Sequence, residues 1–509
     1  LELKAEIESL FAPPIWKELF MRPIWAGGVL AALALLGSVA SAQSNNVARL
    51  AQQQNQIQQL QQFETDTRLL ANPDIPPDQR ALIDFGGYFS PQYYSIDDSN
   101  HDNHGLREYD LVGYLHMNFD GANEIFILGR LQYNDFNSGD SFDGFGSRLI
   151  DPNGTFDRAF YKFDLQQYEA AYNGKQISED ISIEGGQDLV YWANGLAMAQ
   201  VLDGIMPTVS FGQATITGVA GVTPTRTVDF EPDRPDFDFN TRRGFFGAML
   251  SVALGQQHPY IYGLIQRDYN DRNLSIIGPI TTNYSYNSDY FGVGSTGQIS
   301  DHLKYGIEAT IEGGNDLSTS SQVQGFTLVP VPQTRDAIYA FAADGKIDYV
   351  PQDIHNSRVT IEGIVSSGDQ DRGLTNTTFN GNAPGTSDRA FNGFGLLSTG
   401  LAFGAAVSNL MVLRVGPSTF PFPESDTFRR LQVGTDLYIF GKQNSAAPID
   451  EPTNPGVRYL GWEPDLYVNW EITSDITLTA RYGAFFANAA AFQDARPRQF
   501  LYTGATFAF

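Results

Sequence analysis

Ile476-Thr-Leu-Thr-Ala-Arg-Tyr-Gly-Ala484 alternates larger apolar residues with polar or small ones. Ile476, Leu478, Ala480 and Tyr482 share one parity, and Thr477, Thr479, Arg481 and Gly483 the other. Successive side chains of a strand point to opposite faces, so this stretch predicts a strand with one apolar and one polar side. Downstream, Gly504-Ala-Thr-Phe-Ala-Phe509 ends on an aromatic residue. Near the other end, Ala31-Ala-Leu-Ala-Leu-Leu-Gly-Ser-Val-Ala-Ser-Ala42 reads as an export signal. Taken together, these features predict an all-β fold: a transmembrane antiparallel β-barrel in a bacterial outer membrane.

The same period recurs upstream. Tyr305, Ile307, Ala309 and Ile311 alternate with Lys304, Gly306, Glu308, Thr310 and Glu312. Val359, Ile361, Gly363 and Val365 alternate with Arg358, Thr360 and Glu362. Leu431, Val433, Leu437 and Ile439 alternate with Arg430, Gln432, Asp436 and Tyr438. A soluble sandwich would pack the apolar face on a second sheet, whereas a membrane barrel turns it to lipid.

Connection lengths separate the two cases. Short joins fall at 120–123, 173–179, 256–259, 300–302, 351–357 and 473–475. Long ones fall at 134–157, 221–240, 268–285, 313–334, 368–392, 442–457 and 487–498. Short and long mostly alternate, as tight turns at one membrane face and long loops at the other require. About eighteen strands are counted, with sixteen as an alternative. Their expected starts are Ile83, Glu108, Glu124, Arg158, Glu179, Ile205, Ala214, Thr241, His258, Tyr286, Leu303, Arg335, Arg358, Phe403, Phe428, Arg458, Asp475 and Gln499. Tyr88, Tyr114, Phe119, Phe126, Tyr133, Tyr161, Phe245, Tyr260, Tyr290, Tyr467, Trp470, Tyr482 and Phe500 are expected in interfacial girdles.

Composition agrees. The 509 residues are 13% aromatic and 18% charged with 50 Gly, which excludes a disordered chain and disfavours a helical bundle. A mean hydropathy of −0.24 excludes a helical membrane protein but suits strands that hide apolar residues at every second position. The absence of Cys removes thiol catalysis and thiolate metal sites. A net charge of −26 argues against nucleic acid as a partner. Acids gather at 135–157, at 229–238, and at Glu424 and Asp426. A rim of this kind could bind divalent cations against lipopolysaccharide phosphates.

Residues 1–20 read as an upstream extension ahead of Met21, and 21–42 as a signal peptide cleaved after Ala42. Residues 43–78 read as a Gln-rich periplasmic helix and linker, and 79–509 as the barrel. Leu50, Ile57 and Leu60 stand at heptad spacing within 47–70, which would allow weak self-association. Pro73, Pro76 and Pro77 end that helix.

Several stretches resemble the alginate-export family of outer-membrane porins: Glu362-Gly-Ile-Val-Ser-Ser-Gly-Asp369, Phe391-Asn-Gly-Phe394 with Ser408-Asn-Leu410, Leu460-Gly-Trp-Glu-Pro-Asp-Leu466, and Arg481-Tyr-Gly-Ala-Phe-Phe486 with Ala491-Phe492. Ile183-Glu-Gly-Gly-Gln-Asp-Leu189 resembles that family's Gly-Arg-Gln strand, with Gly186 at the Arg position. Ala487-Asn-Ala-Ala replaces its Pro-Gly-Asp. The resemblance implies an eighteen-stranded monomeric porin that passes an anionic sugar polymer. Separately, the terminal Phe509 resembles the assembly signal common to outer-membrane barrels, which implies the barrel-assembly machinery as a partner.

The polar parities nominate the lumen wall. Arg158, Lys162, Lys304, Arg358, Arg430 and Arg481 are basic; Asp164, Glu184, Glu308, Glu312, Glu362, Asp436, Glu463 and Asp465 are acidic. A conduit for a polyanion calls for a constriction dominated by Arg and Lys, whereas this wall is mixed and tilts negative. The expected function is therefore passive diffusion of small polar or saccharide solutes. Export of an anionic polysaccharide, and a plugged structural or adhesive barrel, are the alternatives. The loop 368–392 is long enough to fold inward and close the lumen. No enzyme, cofactor or metal site is expected. His101 and His104 sit in a loop that matches no metal-ligand spacing, and the acidic-aromatic stretch 229–240 reads as an extended outer loop.

Overall fold

The computed structural model describes residues 76, 80–137, 147–149, 155–224, 227, 241–270, 275–277, 280–324, 327–373, 375 and 381–509. The extension, the export signal, the Gln-rich segment and all of 229–240 lie outside them.

Eighteen long strands form one closed antiparallel sheet; a two-residue strand, Arg148–Leu149, only decorates its rim. The first nine are β1 (Ala81–Asp97), β2 (Asn103–Phe119), β3 (Asn123–Phe136), β4 (Thr155–Asp164), β5 (Glu179–Trp192), β6 (Met198–Phe211), β7 (Ala214–Val222), β8 (Arg243–Val252) and β9 (Gln257–Asp268). The rest are β10 (Tyr286–Ser300), β11 (Leu303–Leu317), β12 (Arg335–Tyr349), β13 (Arg358–Ser366), β14 (Leu410–Thr419), β15 (Leu431–Lys442), β16 (Tyr459–Glu471), β17 (Ile476–Ala487) and β18 (Arg498–Ala508). Each strand pairs with its successor, and β18 closes on β1 with Tyr502 opposite Tyr94 and Phe500 opposite Ile96. Closure removes the unpaired edges that an open sheet would expose. Phe509 extends the seam through two backbone bonds with Gly87, at 2.9 and 3.0 Å.

The alternation sorts side chains as expected. On β11, Ile307 and Ile311 point outward, 50% and 60% exposed, while Glu308 and Glu312 on the other parity are 2% and 3% exposed. Leu437, Ile439, Leu478 and Tyr482 repeat the outward pattern on β15 and β17. An apolar surface encircling a closed sheet is stable in hydrocarbon and unstable in water.

Turns at one end are short: 120–122, 212–213, 253–256, 301–302 and 472–475. The join after β4 contains a helix that the sequence reading missed, α1 (Leu165–Tyr172). Its N-cap Asp164 accepts the Gln167 N–H at 2.9 Å. The turn 420–430 lies at this same end, so Glu424 and Asp426 do not belong to the long-loop rim where they were expected.

Three expected strand starts moved by five residues or more, the first being β2, which begins at Asn103 rather than Glu108. β6 begins at Met198 rather than Ile205. The strand expected at Phe403 begins at Leu410, because the described residues of 367–409 do not join the wall but run back inside the barrel. This strap places Phe391 and Phe394 in one inner apolar cluster, with Trp192, Phe245, Tyr262 and Tyr290. It places Ala402, Phe403 and Ala405 in a second, with Tyr438, Phe440, Phe485 and Phe492. Several supposed girdle rings therefore point inward: Tyr88, Phe126, Phe245, Tyr260, Tyr290 and Phe500 are all buried. Tyr133, Tyr161 and Tyr482 do face outward. The apolar payload of the inward aromatics stabilises the strap as a core would.

Candidate functional site

A backbone crossing the lumen has no sheet partner, so its N–H groups must find other acceptors. Wall carboxylates supply them. Glu463 accepts from Ala402 N–H at 2.6 Å and Phe403 N–H at 2.9 Å, and Asp465 from Leu401 N–H at 3.2 Å. Glu312 accepts from Asn392 N–H at 2.9 Å. Glu308 accepts from Asn194 N–H at 2.8 Å and from the Tyr262 hydroxyl at 2.6 Å. Asn194 belongs to the tight turn 193–197, which also folds inward and pairs with the strap: Phe394 N–H donates to Ala197 O, and Leu396 N–H to Gly195 O. Within the strap, Arg372 and Asp388 form a fully buried ion pair at 2.6 Å. Such charge-assisted bonds are the strong ones.

Gly400 makes the close approach possible. Its φ is +93°, and a Cβ there would come within 2.8 Å of the Glu463 carboxyl.

A second group of charges lies nearer the short turns. Lys346 is opposite Glu362 in register, and Glu362 is opposite Arg414. Arg414 Nε lies 3.1 Å from Glu362 and 3.6 Å from Asp436. Asp348 pairs with Arg358 at 2.8 Å and accepts from Thr360 at 2.6 Å. Lys304 stands opposite Asp348, and Glu308 opposite Asp344. Beneath the strap these strands line an open cavity of about 720 Å³, bordered by Asn194, His258, Lys304, Asp344, Lys346, Asp348, Glu362 and Leu397 among others.

The third group is on β2 to β5. Arg130 bridges Asp110 at 2.8 Å and Asp157 at 2.6 Å. Arg158 pairs with Asp188 and lies over the rings of Phe126 and Phe160, at 5.2 and 5.4 Å. Lys162 faces Glu184 across the β4–β5 pair. On β17, Arg481 lies over the Tyr502 ring at 5.8 Å.

The structure thus brings Glu308, Glu312, Glu463 and Asp465 together with the inward segments, and Arg358, Glu362 and Asp436 into cross-strand pairs. Two nominated residues sit at the short-turn end of the barrel. Asp164 caps α1, as described. Arg430 sits in the turn before β15, exposed and 2.7 Å from Glu471, because β15 starts one residue later.

Arg130 and Arg414 were missed because apolar residues fill both parities of Ile125 to Leu131 and Leu410 to Val415, which hides the period. Asp344 and Lys346 were legible, since Asp344, Lys346 and Asp348 alternate with Gly345, Ile347 and Tyr349. At Gly186, the resemblance would place Arg. Here φ is +141°, and a Cβ would lie 2.2 Å from Ala159 O, so this backbone admits no side chain.

No family model matches the chain, and no curated protein matches it. Among solved structures, OccK11 (OpdR) of Pseudomonas aeruginosa aligns with a TM-score of 0.47 at 10% identity, covering 84% of this chain and 96% of its own. OccK9 (OpdG) of the same organism gives 0.47 at 13% identity, covering 84% and 98%. OpdK, solved with vanillate, gives 0.47 at 8% identity, covering 84% and 98%. Similarity at this level assigns no family.

Proposed function

We propose that the chain is an outer-membrane channel for passive diffusion of small polar or saccharide solutes through a mixed-charge lumen narrowed by the strap. The observation that carries this reading is the sorting on β11: Ile307 and Ile311 to the outside, Glu308 and Glu312 to the inside. Arg158, Lys162, Asp164, Glu184, Lys304, Glu308, Glu312, Arg358, Glu362, Asp436, Glu463, Asp465 and Arg481 are read as the wall of that lumen. Lipid and lipopolysaccharide surround the barrel in this reading, the signal at 21–42 exports it, and the Phe509 strand engages the assembly machinery. Self-association through 47–70 belongs to the same reading. No catalytic chemistry is assigned.

A second reading, a closed structural barrel, is favoured by one observation: the strap crosses the interior and is bonded to facing walls. The alginate-export reading is the weaker one here, because the strap anchors are carboxylates and a polyanion would meet them at the narrowest part. Single-channel recording of the purified chain in planar bilayers tests all three. Discrete conductance with weak ion selectivity supports diffusion, strong anion selectivity restores the polyanion reading, and a silent protein is the structural barrel.

A further inference from the structure

The cavity beneath the strap contains charges that the wall leaves uncompensated. Of its carboxylates, Asp348 is taken up by Arg358 and Thr360, and Glu362 by Arg414. Asp344 differs. It lines the cavity, is 7% exposed, and its Oδ1 has no hydrogen-bond partner among the described residues. Its cross-strand neighbour Glu308 gives it no relief, being a second carboxylate already occupied by donors from Asn194, Tyr260 and Tyr262. Lys304 and Lys346 line the same cavity, and neither forms an ion pair among the described residues.

A buried carboxylate oxygen without a donor is costly. The three groups do not satisfy one another. Asp344 and Lys346 share a face of β12 two positions apart, roughly 6–7 Å along the strand. Lys304 lies on the neighbouring strand, opposite Asp348. With Asp348 and Glu362 already paired, the groups left over in the cavity are one carboxylate toward the strap and two ammonium groups toward the short turns. A metal ion does not fit this arrangement: no three metal-type side chains converge among the described residues.

We propose that this cavity is a binding site for a short zwitterion, with its ammonium group at Asp344 and its acid group between Lys304 and Lys346. The inference rests on the channel reading above and names the solute class that the channel favours. A volume of about 720 Å³ leaves room for the solute with part of its hydration shell. A solute with only one charged end would leave the opposite pole bare.

The test is uptake of radiolabelled γ-aminobutyrate, butyrate, butylammonium and erythritol by proteoliposomes carrying the full chain. γ-Aminobutyrate is expected to enter about five-fold faster than each of the others, the equivalent of ~1 kcal/mol. D344N and K346Q are each expected to lower the ratio of γ-aminobutyrate to erythritol uptake toward unity, and K304Q to do so in part. Equal rates for all four solutes, or a ratio indifferent to D344N and K346Q, would overturn the site while leaving a channel. Exclusion of every solute, erythritol included, would overturn the channel reading and this inference with it.

Discussion

Across the lumen, the Glu463 carboxylate on β16 receives the backbone N–H of Phe403 on the strap at 2.9 Å, from 60 residues away in sequence. The neighbouring Ala402 N–H reaches the same carboxylate at 2.6 Å. One side chain thus fastens one end of an inward segment whose other end is fastened by Glu312.

Removing that fastening should release the strap. In E463A two buried N–H groups lose their acceptor, at about 1–3 kcal/mol each. Single-channel conductance is expected to rise and protease cleavage between 395 and 406 to accelerate. E463Q keeps one acceptor oxygen and should fall between wild type and E463A. Unchanged conductance together with unchanged cleavage in E463A would show that the apolar clusters alone hold the strap.

Asp450 should make the loop between β15 and β16 sensitive to pH. Burial pushes its carboxyl up to about 7; the bond from Ala406 N–H, at 2.9 Å, opposes the rise, Glu451 adds to it and Arg498 opposes it. The folded protein thus keeps a proton that the unfolded chain releases near pH 4. Between about pH 4 and pH 7 the native state binds more protons, so stability falls as pH rises through that window. Urea midpoints of the wild type should decline across it relative to D450N, in which the titration is absent. A constant difference between the two would contradict this.

The outward face can be probed at Ile311, which is 60% exposed. A charge introduced there meets hydrocarbon, and I311R is expected to cost up to about 2–4 kcal/mol depending on its depth. I311V should be close to neutral. Urea unfolding in lipid vesicles reads both. A harmless I311R would place that face in water and undo the membrane assignment.

Much of the wall was legible in the sequence. Alternation around Glu308, Glu362, Leu437 and Arg481 located strands and their inner faces, since side-chain parity is a local property. The charges on β3 and β14 were not legible, because apolar residues occupy both parities there and erase the period. Phe403 was read as the start of a strand because a short apolar run looks alike whether it faces lipid or fills a lumen. For the same reason Phe245 and Tyr290 were read as girdle rings although they pack on the strap.

Period and spacing along the chain were enough to require a closed sheet with apolar residues outside, charged residues inside, and long connections at one end. What fills the interior follows only from the folded arrangement. The contacts that hold the strap and its companion turn join groups far apart in the chain, such as Asn194 and Glu308, 114 residues apart, and Asn392 and Glu312, 80 apart. Which charges are neutralised and which remain unpaired depends on cross-strand register and loop path, and no local pattern encodes either.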